Sequence, residues 1–439
     1  MNLFWKKLFG GMKSAEVLEA KFNDQTAAYV RYKQVAQSAE LAEYMTLRDI
    51  VSSTSFKENK KKLQKRKYKD TDEYRSMKSY QKLQNNPAFK QFLHIQQSPE
   101  LLDFLAFKKT PDYKKLADKA AVKADATLQK WANFEKSKAY KNYVRFNGTA
   151  KANEYQQLQN LVTTSEFKTR NAFWQNEKRW ETTNEAQQDK RFSELAKNPD
   201  IVFYLSSKKD DFAAFERYEE VFTDNFDGNT LSAERWQPGF HYGSTKLKSI
   251  HSFVSEQQAN NGGRNVSVSG GAMHLTTRQE HVKAAAWDVK KGFVEKEFDY
   301  TSDVVTSGAA FVQKGGVFMA KMRCTGAIHH AFWLGANRML PHINIFHFNG
   351  KRVTMGNASA SMMDEAVVKG LQPSEYYIYS LLWTDRELVW YVNNVEVFRT
   401  TANVPNEKMY LAFSSFISQA QQATSGSLDV EWVKVYKVK

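Results

Sequence analysis

Aromatic residues recur every twelve positions along the first half of this chain, at Tyr32, Tyr44, Phe56, Tyr68, Tyr80, Phe92 and Phe104. They do so again at Trp131, Tyr143, Tyr155 and Phe167, then at Phe192 and Tyr204. A fixed period of this kind means that one small unit is repeated and must stack on its neighbours to bury its apolar face. In many units an apolar residue follows three places after the ring and a Ser, Thr or Asn six places after it, as in FLHIQQSPEL, FLAFKKTPDY and FSELAKNPDI. A polar residue just before Pro reads as a helix N-cap with Pro at the first helical position. Residues 1–214 hold only Gly10, Gly11 and Gly148 of the 20 glycines, and Lys, Gln, Ala, Glu and Leu dominate, which is helix composition. The expectation for 1–214 is an all-α array of short helices with the ring stripe as its core. The block also reads as duplicated: YKQVAQSAELAEYMTLRDIVSSTSF at Tyr32 matches YVRFNGTAKANEYQQLQNLVTTSEF at Tyr143, giving copies over about 32–103 and 143–214. Such an array suits a scaffold, a spacer or a surface for self-association and other subunits.

Of the formal net charge of +15, +14 falls in residues 1–214. The densest run, Lys57 to Lys69, has two readings: contact with nucleic acid or another anionic surface, or a solvated helix face. No run of eighteen apolar residues occurs, which speaks against a transmembrane helix, and the opening MNLFWKKLFGGMK lacks the apolar core of a secretory signal. Localisation is therefore expected to be cytoplasmic or within an assembly such as a virion, the cell surface being reached only by another route. Leu3, Phe4, Trp5, Leu8 and Phe9, beside Lys6, Lys7 and Lys13, either lie in a membrane interface or dock on the protein itself. Cys324 is the only cysteine, so no intramolecular disulfide forms, and in the strand-like GGVFMAKMRCTG it reads as a small core residue.

Near Phe215 the character changes. Seventeen glycines, eight of the nine histidines and many alternating β-branched and aromatic runs lie beyond it, which predicts an all-β domain over 215–439. ELVWYVNNVEVFRTT reads as a hairpin whose turn residues, Asn393 and Asn394, take positive φ. Further strands are expected in VSVSGGAMHLTT, GGVFMAKMRC, HINIFHF, EYYIYSLLW, MYLAFSSF and LDVEWVKVYK, enough for a two-sheet sandwich.

Several of these segments, in order, resemble glycoside hydrolase family 16, the laminarinase and β-glucanase family of concanavalin A-like jelly rolls. VFTDNFDGNTLSAERW is similar to that family's opening, which runs to a Trp, here Trp236; GGVFMAKMRCTGAIHHAFWL is similar to its glycine-led strand and Ala-Phe-Trp-Leu strand. LLWTDRELVWYVNNVEVFR and LDVEWVKVYK resemble its late hairpin and closing strand. The resemblance implies a catalytic Glu-x-Asp-x-x-Glu just after Ala-Phe-Trp-Leu, and here that strand reads HINIFH, so His342, Asn344 and His347 stand at the catalytic positions. It also implies a cleft Trp at Trp333 and a structural calcium held by the closing strand, where Glu431 stands.

Alternation puts His342 and Asn344 on the cleft face with Ile343 and Ile345 in the core, and a bulge near Phe346 returns His347 to the cleft. Retaining hydrolysis needs two carboxyl groups, which these positions do not supply. The expectation is a non-catalytic glycan-binding or structural module on a basic helical scaffold, with Trp333, His342, Asn344 and His347 contacting sugar. Two alternatives stay open: a divergent hydrolase of β-glucan or galactan using Asp364 or Glu365, and a purely structural surface or virion protein. The strand itself also admits a metal site, with His329 or His330 as further ligands, or a cleft that binds nothing. No cofactor is expected, calcium being the open case.

Overall fold

The computed structural model describes residues 3, 6–7, 10–242, 250–422 and 424–439. The chain forms two compact units, one of residues Val35–Ser206 and one that joins residues 1–34 to Ser207–Lys439. The division expected at 214/215 falls instead at 206/207, and residues 1–34, expected in the array, belong to the compact unit of the sandwich.

Within Val35–Ser206 the helices are short and begin at polar caps. Asn86 Oδ1 accepts from Phe89 N at 3.0 Å and Ser98 Oγ from Leu101 N at 3.2 Å, each with Pro next in the chain. Ser137 and Thr149 cap in the same way without Pro. Thr110 departs from the pattern: its hydroxyl donates back to Phe107 O, and the segment behind it, Pro111–Ala117, is a 3₁₀ turn. The helices form two antiparallel arms. A twelve-residue register on both arms explains why rings meet level by level: as one arm advances a unit, the other retreats a unit. Tyr44 stacks on Phe192 at 5.3 Å, Phe56 meets Trp180 edge-on at 5.8 Å and Tyr80 stacks on Tyr155 at 5.3 Å. Phe92 lies 6.2 Å from Tyr143 and Phe104 5.6 Å from Trp131. The ring stripe is core, as its helical spacing implied, and each pair adds roughly 0.5–1.5 kcal/mol beyond burial. In the basic run, Lys57, Lys61, Lys62, Lys65, Lys67 and Lys69 are exposed, while Lys60 Nζ pairs with Asp189 at 2.6 Å across the arms.

The second unit is a sandwich of two largely antiparallel sheets. Among the described residues one sheet has seven strands, in the order Met363–Val368, Val353–Ala358, His342–Asn349, His329–Gly335, Tyr410–Phe416, Val304–Thr306 and Gln237–Pro238. The other is centred on Gly316–Thr325 and the closing strand Gly426–Val438, and continues into the long hairpin Ala272–Asp288 and Gly292–Ser302. Phe318, Phe332, Phe346, Tyr379, Trp383, Trp390 and Phe413 fill the space between the sheets. The Asn393–Asn394 turn has φ values of 47° and 63°, the left-handed values that a two-residue hairpin loop requires. Cys324 is buried in this core, and burial pushes its thiol pKa up.

The described residues among 3–34 complete the outer face. Leu3 is fully buried in the sandwich core and its N–H donates to Lys369 O at 2.8 Å, so this part of the opening segment docks on the protein itself. Phe4, Trp5, Leu8 and Phe9 lie outside the described residues. The helix Ala15–Ala36 then lays Ala15 against Ile378 and Trp432, and Phe22 and Tyr29 against Phe215. Tyr32, the first ring of the twelve-residue series, packs on Phe212 of this unit. No helix among the described residues is long and apolar enough to cross a membrane.

Candidate functional site

The strand His342–Asn349 alternates as its sequence dictates, with Ile343, Ile345 and Phe346 buried and His342, Asn344 and His347 partly exposed. Its pairing with His329–Gly335 slips between Phe332 and Trp333, so that Phe346 faces Phe332 while Asn344 faces Trp333. That bulge lets two consecutive residues, Ile345 and Phe346, enter the core and turns His347 to the same side as His342. From the facing sheet, Trp390 Nε1 donates to Asn344 O at 2.9 Å and pins the strand there. Trp333, His342, Asn344 and His347 consequently line one cleft of about 260 Å³.

The polar groups of this cleft are tied to one another. His342 Nε2 bonds Asn344 Oδ1 at 2.9 Å; since that oxygen only accepts, the imidazole proton is on Nε2. The His342 ring lies over Trp333 with centroids 4.8 Å apart, and Trp333 Nε1 donates to Ser414 Oγ at 3.0 Å. His347 Nε2 meets His329 Nδ1 at 2.9 Å, and His329 in turn stacks on Phe416 at 4.2 Å. Burial pushes the pKa of His342, His347 and His329 down to about 4, because desolvation penalises the imidazolium form. All three rings are neutral near pH 7.

His330 is elsewhere. It is fully buried, bonded to Ser415 Oγ at 2.7 Å and to Thr325 O at 2.9 Å, and so is a satisfied core residue. Among the described residues no three His, Cys, Asp or Glu side chains are grouped to hold a metal ion. Asp364 and Glu365 are on Met363–Val368, the end strand of the seven-stranded sheet, and do not line the cleft.

One wall was not legible in the sequence. Phe240, Tyr242 and Phe253 bring aromatic faces to the cleft, with Phe240 and Tyr242 stacked at 5.3 Å. Glu256 brings a carboxyl, the only one in the lining among the described residues. Its Oε2 accepts from Gln258 Nε2 at 2.8 Å and Phe253 N at 3.3 Å, and burial outweighs these bonds to push its pKa up to about 7.

On the outer face, the position implied for calcium is taken up differently. Lys321, its side chain 6% exposed, places Nζ 2.5 Å from Glu431 and 2.9 Å from Glu19 of the helix Ala15–Ala36. Burial alone would lower the Lys321 pKa, and the bonds to Glu431 and Glu19 outweigh it and hold the ammonium charged. Trp432 Nε1 donates to the other Glu19 oxygen at 2.8 Å. A carboxylate already neutralised by a buried ammonium does not fit a divalent ion, which needs several free oxygen ligands.

Residues of this chain are 23% identical, over 159 residues, to the endo-1,3-1,4-beta-glycanase ExsH of Rhizobium meliloti (strain 1021), covering 32% of this chain and 34% of that protein. The endo-1,3-1,4-beta-glycanase EglC of the same organism is 26% identical over 159 residues, with the same coverage. The chain thus spans about a third of the length of these curated relatives. The solved catalytic domain of an endo-1,3-beta-glucanase (laminarinase) from Thermotoga petrophila RKU-1 superposes with a TM-score of 0.41 at 17% identity, over 51% of this chain and 99% of that one. Residues 332–434, which carry Trp333, the HINIFH strand and most of the closing strand, match the model of glycosyl hydrolases family 16.

Proposed function

We propose that the cleft binds a glycan of the β-glucan class and does not cleave it. One observation carries this: the strand that stands where two catalytic carboxyls are needed offers two neutral imidazoles and an amide beside an indole, His342, His347, Asn344 and Trp333. Retaining and inverting hydrolysis both use a carboxyl pair across the scissile bond. The described lining has one carboxyl, Glu256, and a neutral imidazole at the position of the nucleophile offers no anion to trap an oxocarbenium-like centre. What remains is suited to holding sugar: polar groups for hydroxyls, and the aromatic wall of Tyr242, Phe240 and Phe253 for the apolar side of a pyranose. The β-glucan class is supported by the glycanase names of the two curated relatives. The helical array would carry this module as a scaffold.

The test is a glycan array probed with wild type and with a His342→Ala, His347→Ala double variant, run beside a reducing-sugar assay on laminarin and lichenan. Expected are signals on β-glucan probes that the double variant loses, with no release of reducing ends. Release of sugar by wild type would overturn the non-catalytic reading, and an array silent for wild type would leave the structural-protein reading.

A further inference from the structure

The strand His342–Asn349 leaves regular alternation at one place, and both of its ladders slip there. Against Val353–Ala358, Asn344 faces Gly356 and His347 faces Thr354, so Ile345 and Phe346 stand opposite Met355 alone. Against His329–Gly335, Asn344 faces Trp333 and Phe346 faces Phe332, which leaves Ile345 without a facing residue. A regular strand keeps its carbonyls in the plane of the sheet, where neighbouring strands supply the donors, and a bulge turns one of them aside. Asn344 is the last residue before the slip, and its carbonyl is met by Trp390 Nε1 at 2.9 Å. That donor belongs to the opposite sheet, on the strand Leu388–Val392, and its indole is fully buried between the sheets. The Phe398 ring of the adjoining strand backs it at 5.0 Å.

We propose that Trp390 is a positioning residue of the cleft: its bond across the core holds the bulge that sets His347 on the same side as His342. This rests on the glycan-binding reading and goes beyond it, because the cleft then depends on a residue of the other sheet that touches no ligand. Without the indole N–H, the Asn344 carbonyl loses its donor inside a dry core, where an unmet acceptor is costly. The relief open to the strand is to give up the bulge and return that carbonyl to the ladder. Alternation then continues from Asn344 with Ile345 in the core, Phe346 toward the cleft and His347 toward the core. The bond between His347 Nε2 and His329 Nδ1, 2.9 Å long, is lost in that rearrangement.

The same core supplies a matched control. Trp383, at the end of the strand Tyr377–Trp383, is also buried, and its Nε1 has no hydrogen-bond partner among the described residues. Replacing either indole by Phe removes the same volume, and only at Trp390 does it also remove a bond to the site strand. The full chain is compared as wild type, Trp390→Phe and Trp383→Phe, by nitrogen-15 spectra of the imidazoles and by calorimetric titration with laminarihexaose at pH 7. The proton shared by His347 and His329, assigned by its loss in His347→Gln, is expected in wild type and Trp383→Phe and absent in Trp390→Phe. Affinity for laminarihexaose is expected to fall about tenfold in Trp390→Phe, the worth of one hydrogen bond to the sugar, and to stay within about twofold in Trp383→Phe. Benzothienylalanine at position 390, an indole isostere with sulfur in place of N–H, makes the same test at unchanged volume if Trp390→Phe does not fold. Equal losses of affinity in the two Phe variants, or a shared proton that persists in Trp390→Phe, overturn the assignment and leave glycan binding standing. Failure of wild type to bind laminarihexaose removes the glycan reading, and the spectra alone then decide whether Trp390 sets His347.

Discussion

The cleft histidines owe their neutrality to burial, and this has a thermodynamic counterpart. His329, His330, His342 and His347 have pKa values near 4 when folded, against about 6.5 in an unfolded chain. Between these limits the folded state binds fewer protons, so the stability tied to these residues is present in full above about pH 6.5 and lost as pH falls toward 4. Glu256 acts in the opposite sense, costing stability as pH rises from about 4.5 to 7, but four imidazoles outweigh one carboxyl. The melting temperature of the sandwich unit is therefore expected to fall from pH 7 to pH 4.5, and to fall less in His330→Asn, which removes one such group. A melting temperature that is flat or higher at pH 4.5 would contradict this. The residues of the HINIFH strand were legible because strand alternation and one bulge fix which side chains share a face. Glu256 was not, because it arrives from a non-repetitive stretch whose position depends on the Lys296 hairpin packed beside it.

Among the elements, the helix Ala15–Ala36 is held to the outer sheet by Glu19, Lys321, Glu431 and Trp432. Replacing Lys321 by Ala leaves two partly buried carboxylates facing each other. Screening by solvent discounts the penalty for a fully buried pair, giving an expected loss of about 2 kcal/mol. Denaturant unfolding measures this loss, and hydrogen exchange in residues 15–34 should quicken with it. Wild-type stability should be indifferent to calcium and to chelator, and a melting temperature that rises with calcium would show that Glu431 binds the ion after all. In the array, Asn86→Ala removes a cap bond and should cost about 1 kcal/mol, whereas Phe104→Ala, at a fully buried ring, should cost about 3–5 kcal/mol. The two effects can be compared by urea unfolding of the 35–206 signal. The caps and the ring register could be read directly, since both are local patterns. The antiparallel pairing of the arms could not, because a repeat gives the spacing of rings and not the direction of their partners.

For the whole molecule, the sequence marked a change of character near Phe215, whereas the compact unit begins at Ser207 and its first strand is Tyr218–Asp224. It did not mark residues 1–34 as part of that unit, since their helical composition is continuous with the array; what assigns them is contact, from buried Leu3 to the Phe22 and Tyr29 rings on Phe215. A chain lacking residues 1–34 is expected to lose stability in its sandwich, read from its Trp fluorescence transition, and equal transitions with and without them would argue that the segment is dispensable. The central claim, that the cleft holds a glycan and leaves it intact, is tested most directly by saturation-transfer NMR of laminarihexaose mixed with the full chain at pH 7 and followed for a day. The account predicts saturation transferred to the hexamer, abolished in the His342→Ala, His347→Ala variant, with hexamer signals unchanged at the end. Absence of transfer to wild type, or the growth of signals from shorter oligosaccharides, would contradict it.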